Sequence, residues 1–126
     1  MVLKLNVDCV RDLMLVIERE AGLGEYLTYS NLCNSLDYPG DVIAYTALKL
    51  EEAGFIRCST KNVRTFPEAL IIQELTYYGH QFLEDIRSDS NWDKVKSVSA
   101  SVGSASLRAL SEIAANVIAN LIKAQL

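Results

Sequence analysis

The sequence is short of the residues on which most catalysis and metal binding depend. It holds one histidine, His80, and three cysteines, Cys9, Cys33 and Cys58, which lie far apart and form no CxxC pair. An odd set of widely spaced thiols signals neither a disulfide framework nor a zinc ribbon, so the cysteines read as small buried hydrophobes. His80 shares a helix face with Glu84, but no second histidine or nearby cysteine stands at ligand spacing. It reads as a hydrogen-bonded structural residue, and no metal is expected. The patterns GxSxG, GxxxxGK followed by Ser or Thr, and HExxH are all absent. Without a nucleophile, a base and an orienting group, the expectation is no enzyme and no cofactor. Charged or polar residues interrupt every apolar run before the roughly 18 residues that a membrane span needs. The expected location is therefore the cytoplasm, with no membrane contact.

Positive charge is also scarce. Twelve Lys and Arg face sixteen Asp and Glu, for a net charge of −4 and a pI near 4.9. A domain living on DNA usually carries a basic stripe and a high pI, so any basic face must be local. Residues 1–40 hold three basic against six acidic residues, while residues 61–75 balance two against two.

What is present suits one core: 126 residues, half of them hydrophobic. Asn6 is placed to cap a first helix, in which Val7, Val10, Leu13, Met14 and Ile17 recur at helical spacing up to Glu20. Ala21, Gly22 and Gly24 stop it, and Glu25 to Tyr29 predicts a short strand before Ser30 caps a brief helix through Leu36. The turn Asp37-Tyr38-Pro39-Gly40 follows, and Asp41 caps a longer helix with Ile43, Ala47 and Leu50 inward. Two helices across a short turn predict helix-turn-helix. Gly54 supplies a left-handed C-cap leading directly into strand Phe55 to Thr60; Ala69 to Leu75 reads as its partner, with the polar KNVRTFPE between them as a wing.

Thr76 then caps a helix through Arg87 with Phe82, Leu83 and Ile86 inward, and Ser90 with Asp93 forms a capping box for the next. Gly79 inside a helix implies close approach by another element, and Trp92 is expected to pin the later helix against the 75–86 segment. Ser97 to Ser106 reads as a hinge or frayed helix end. From Ser106 a last helix carries Leu107, Leu110, Ile113, Ala114, Val117, Ile118, Leu121 and Ile122, a stripe wider than a two-stranded seam requires. Such a helix wants two neighbours, one of them the same helix of a second chain. Leu107, Leu110, Ala114, Val117 and Leu121 are the expected homodimer contacts.

The stretch LTYYGHQFLEDIRSDSNWDKVK from Leu75 to Lys96, with IAYTALKLEEAGFI upstream and Asp8 and Arg11 in the opening helix, resembles domain-of-unknown-function family 2513. In that family of small bacterial and phage-associated proteins, LT, GHEFLD and W.K.K recur. The resemblance implies a winged-helix look and supplies no activity. The expected fold is α+β, mainly helical, of winged helix-turn-helix type over residues 1–96, with a C-terminal helical extension over 97–126. Two functions are open: a DNA-binding transcriptional regulator of prophage or mobile-element origin, and a protein-interaction module on the same scaffold. For double-stranded DNA, Tyr45, Thr46 and Lys49 would face a groove, while Arg57, Lys61, Asn62 and Arg64 would meet the backbone from the wing and its base. For a protein partner, the acidic surface is the expected face.

Overall fold

A computed structural model describes residues 4–60 and 67–126. Among these the chain forms an α+β fold of six helices and one three-stranded antiparallel sheet. It divides into two compact units, Met1–Gly79 and His80–Leu126.

The first unit opens with α1 (Val7–Glu20), started as expected by Asn6, whose side-chain oxygen accepts the Cys9 N–H at 3.0 Å. Its inward stripe is Cys9, Val10, Leu13, Met14, Val16 and Ile17. Strand β1 is only Leu27–Thr28, shorter than Glu25 to Tyr29, because Gly22 and Glu25 exchange backbone hydrogen bonds in a tight turn just before it. Helix α2 (Tyr29–Ser35) begins two residues earlier than the Ser30 cap predicts, with Thr28 as its cap. Thr28 and Asn31 form a capping box there, each side chain accepting the other's backbone N–H, so two of the end's otherwise unpaired donors are satisfied.

Helix α3 (Gly40–Glu52) has Pro39 rather than Asp41 at its N-cap. Asp41 sits within the first turn, its carboxylate accepting the Val42 N–H, which suits the positive end of the helix dipole. Ile43, Ala47 and Leu50 are buried as expected, and so are Ala44 and Thr46. Gly54, at φ +80°, ends the helix, and the Phe55 N–H closes back on the Leu50 carbonyl at 2.9 Å.

Strands β2 (Ile56–Thr60) and β3 (Leu70–Leu75) pair antiparallel, from Ile56 opposite Leu75 to Thr60 opposite Leu70, with a bulge between Arg57 and Cys58. Strand β1 joins the other edge of β3, with Leu27 opposite Ile72, so the sheet order is β1-β3-β2. Helix α1 packs on both α3 and β3, so a single apolar cluster of Leu13, Met14, Ile17, Ile43, Leu50, Leu70 and Ile72 ties the helices to the sheet. Fully burying each of these large side chains contributes about 1.5–3 kcal/mol.

Helix α4 (Tyr77–Ile86) runs from the first unit into the second, with Phe82, Leu83 and Ile86 buried on one face. Thr76 caps it, accepting the Gly79 N–H at 3.1 Å while donating to the Gly54 carbonyl. The next helix, α5, spans Asp89–Val102 and is capped by Ser88, two residues before Ser90. It continues through residues 97–102, within the Ser97 to Ser106 stretch that the sequence marks as a hinge or frayed helix end. Ser99 is the reason: its carbonyl accepts the N–H groups of Gly103 and Ser104, and its hydroxyl donates to the Ser104 carbonyl. The non-helical link is therefore only residues 103–106. Ser106 then caps α6 (Leu107–Gln125), which packs on α5.

Candidate nucleic-acid interface

The outward face of α3 follows from its inward one. With Ile43, Ala47 and Leu50 in the core, helical spacing turns Asp41, Tyr45, Leu48, Lys49 and Glu52 away from it, and all five are at least partly exposed. Tyr45 and Lys49 lie one turn apart, with the Lys49 ammonium 5.4 Å from the centre of the Tyr45 ring. The same ammonium is 2.8 Å from the Glu52 carboxylate, and that hydrogen bond and charge raise the lysine pKa from its ordinary value. Lys49 is thus a permanent cation whose charge is partly answered within its own helix.

Thr46 does not belong to this face. It is fully buried, its hydroxyl donating to the Val42 carbonyl at 2.7 Å, so the expectation that it meets a groove is corrected. One helical position turns a side chain by about 100°, enough to carry Thr46 from beside Tyr45 into the core. Arg57 is exposed on β2 and forms a cross-strand ion pair with Glu74, directly opposite it on β3. Lys61, Asn62 and Arg64 lie outside the described residues.

A contact unforeseen in the sequence fixes the approach to α3. The Tyr38 hydroxyl, in the turn before that helix, donates to Asp12 Oδ2 on α1 at 2.6 Å. Burial and the Asp12 carboxylate push the tyrosine pKa well up. The pair borders a cleft lined by Leu15, Val16, Arg19, Leu36 and Asp37. No local pattern announces a bond between residues so distant in sequence.

Of the thiols, Cys9 is buried and Cys58 half-buried, but Cys33 is exposed, against expectation. Burial raises the Cys9 thiol, the Thr46 hydrogen bond opposing it, and burial with the nearby Glu51 charge pushes Cys58 up to about 11. Among the described residues no group of three or more His, Cys, Asp or Glu could hold a metal ion, and His80 is exposed. No described helix is long and apolar enough to cross a membrane.

In the second unit, Leu107, Leu110 and Ala114 of α6 are buried within the chain itself. Their assignment as contacts to a second chain is corrected, since their apolar surface is already spent. Val117 and Leu121 are half-buried and line an open groove between α5 and α6 with Lys94, Ser97, Val98 and Asn120.

The model of the family described as "Hypothetical protein (DUF2513)" matches residues 4–106, and the chain belongs to that family. The match takes in α1 through α5 and ends at the Ser106 cap, one residue before α6. No curated protein and no solved structure matches the chain.

Proposed function

We propose that this protein is a winged helix-turn-helix DNA-binding regulator of prophage or mobile-element origin, without catalytic activity and without a cofactor. The observation that carries the reading is the element order: α1, β1, α2 and α3 precede a β2-β3 pair, and β1 closes the sheet in the order β1-β3-β2. One face of α3, carrying Asp41, Tyr45, Lys49 and Glu52, is left at least partly exposed. In this reading α3 enters the major groove with Tyr45 and Lys49, while Arg57, Lys61 and Arg64 neutralise phosphates and Asn62 donates a hydrogen bond to one. Affinity resting on so few cations is low and falls as salt rises, with a slope of about 0.9 per neutralised phosphate.

The acidic balance favours a second reading, a protein-interaction module on the same scaffold. Both described cations nearest the surface in question, Lys49 and Arg57, already face carboxylates, Glu52 and Glu74. A mobility-shift titration on mixed genomic fragments decides between them. The regulator retains DNA at about 50 mM salt, releases it as salt rises, and loses retention in Lys61→Glu and Arg64→Glu. Absence of retention by the wild-type chain, or indifference to both charge reversals, removes the regulator reading and leaves the interaction module.

A further inference from the structure

The outer part of α6 is poor in charge along much of its length. From Ile113 to Ile122 the helix carries no charged residue, and this run is framed by Glu112 before it and Lys123 after it. Leu107, Leu110 and Ala114 point into the chain's own core, and Ala115, Ala119 and Ile122 lie on a flank turned away from it, with Glu112 and Lys123 farther round the helix. All three are exposed, Ile122 to 55%. Their spacing of four and then three residues is that of a coiled-coil seam, and the two alanines allow close approach of a second helix. A solvated helix face ordinarily bears charges, whereas this one offers aliphatic carbon and the amide of Asn116.

The framing charges specify the occupant and its direction. Glu112 and Lys123 lie on the same flank of the seam, near its two ends, at equal distances from the midpoint between Val117 and Ile118. Two copies laid side by side in parallel about a two-fold axis would put their charged flanks on opposite sides of the seam, so no Glu112 would meet a Lys123. Laid antiparallel about a two-fold axis, each Glu112 meets Lys123 of the second copy, and Ala115 of one packs beside Ala119 of the other. Glu112 also pairs with Arg108 of its own helix at 3.3 Å, but both groups are exposed and a carboxylate accepts from two cations. We propose that the protein forms an antiparallel homodimer through the Ala115, Ala119 and Ile122 face of α6, with reciprocal Glu112 to Lys123 pairs setting its direction.

The symmetry provides a stringent test, independent of whether DNA is bound. Light scattering across a dilution series gives the dimer dissociation constant of the full chain. Glu112→Lys alone and Lys123→Glu alone each oppose like charges twice, and each is expected to weaken the dimer on the order of tenfold. An equimolar mixture of the two variants juxtaposes opposite charges at both sites, and so does the double variant in one chain. Both are expected to recover near wild-type affinity. Ala119→Arg, an exposed substitution, is expected to leave the chain monomeric with its helical circular dichroism intact. A wild-type chain that stays monomeric at high concentration overturns the proposal. So does a dimer that ignores Ala119→Arg, or one that the mixture fails to restore.

Discussion

Gly79 lies directly against the backbone of Phe55: a β carbon on Gly79 would overlap the Phe55 carbonyl oxygen and crowd its carbonyl carbon. The same carbonyl accepts the Thr76 N–H at 3.0 Å, so the first turn of α4 is seated on the exit of α3 through main-chain atoms. Main chain cannot swing aside as a flexible side chain would. Gly79→Ala therefore loses more by displacing this contact than it gains in helix propensity. The expected result is a net destabilisation of about 1–3 kcal/mol, against a propensity gain of at most about 1 kcal/mol. Urea denaturation followed by circular dichroism checks it through a lowered midpoint at unchanged slope.

The bond from Tyr38 to Asp12 ties the turn before α3 to α1, and Tyr38→Phe removes it while keeping the ring. The acceptor is a carboxylate in a partly buried place, so the expected cost is about 1–2 kcal/mol, measured by the same denaturation. A midpoint that does not move would mean that water serves Asp12 equally well.

Thr46 and Lys49 separate fold from function on one helix. Thr46→Val removes a buried hydroxyl whose acceptor, the Val42 carbonyl, also belongs to the helix ladder, so stability changes by no more than about 1 kcal/mol and DNA retention stays where it was. Lys49→Glu lies on the exposed face and is expected to weaken retention with little effect on folding. Equal loss of retention in both variants, with folding intact, would argue against the α3 face as the contact surface.

These residues also show what the sequence could and could not disclose. The Asn6 cap, the Gly54 exit and the Thr76 cap were legible because each is a local chemical event: a side-chain oxygen for an unpaired N–H, or a left-handed position that favours glycine. The pairing of the strands flanking KNVRTFPE was legible from composition, and it is observed between Ile56–Thr60 and Leu70–Leu75. The Ser90 cap is not formed because Ser88, which can cap equally well, does so two residues earlier. The choice between them falls to the buried face of Trp92, Val95 and Ser99, which is a tertiary matter. Thr46 failed likewise, since a threonine satisfies its hydroxyl within its own helix and so passes as a core residue. On α6 the widest apolar stripe drew attention to the face that the chain uses itself, and hid the blander alanine face behind it.

Exposure orders the thiols. Cys33 is exposed, Cys58 half-buried and raised to about 11, and Cys9 buried and raised, so a thiol-reactive dye near neutral pH is expected to label Cys33 first, Cys58 slowly and Cys9 only on unfolding. Peptide mapping by mass spectrometry over a time course reads the order. Early labelling of Cys9 would show that α1 opens easily from the sheet.

The same raised thiol makes stability depend on alkaline pH. Cys58 keeps its proton in the folded chain to about 11, whereas its ordinary value is 9.0. Between these values the unfolded chain has already released the proton and the folded chain has not, so raising the pH favours unfolding. Below 9.0 both states hold it, and this group contributes no slope. Tyr38 adds to the effect in the same direction, because its hydroxyl is also held protonated beyond its ordinary 10.0 by burial and by Asp12. The expected profile is level up to about pH 9 and falls beyond it. Chemical denaturation midpoints at half-unit steps from pH 8 to 11 measure this, and Cys58→Ala should lessen the decline, with Cys9, buried and likewise raised, and Tyr38 supplying the rest. A wild-type profile that rises across this range would show that these groups ionise more easily in the folded chain, and that none is held as its surroundings require.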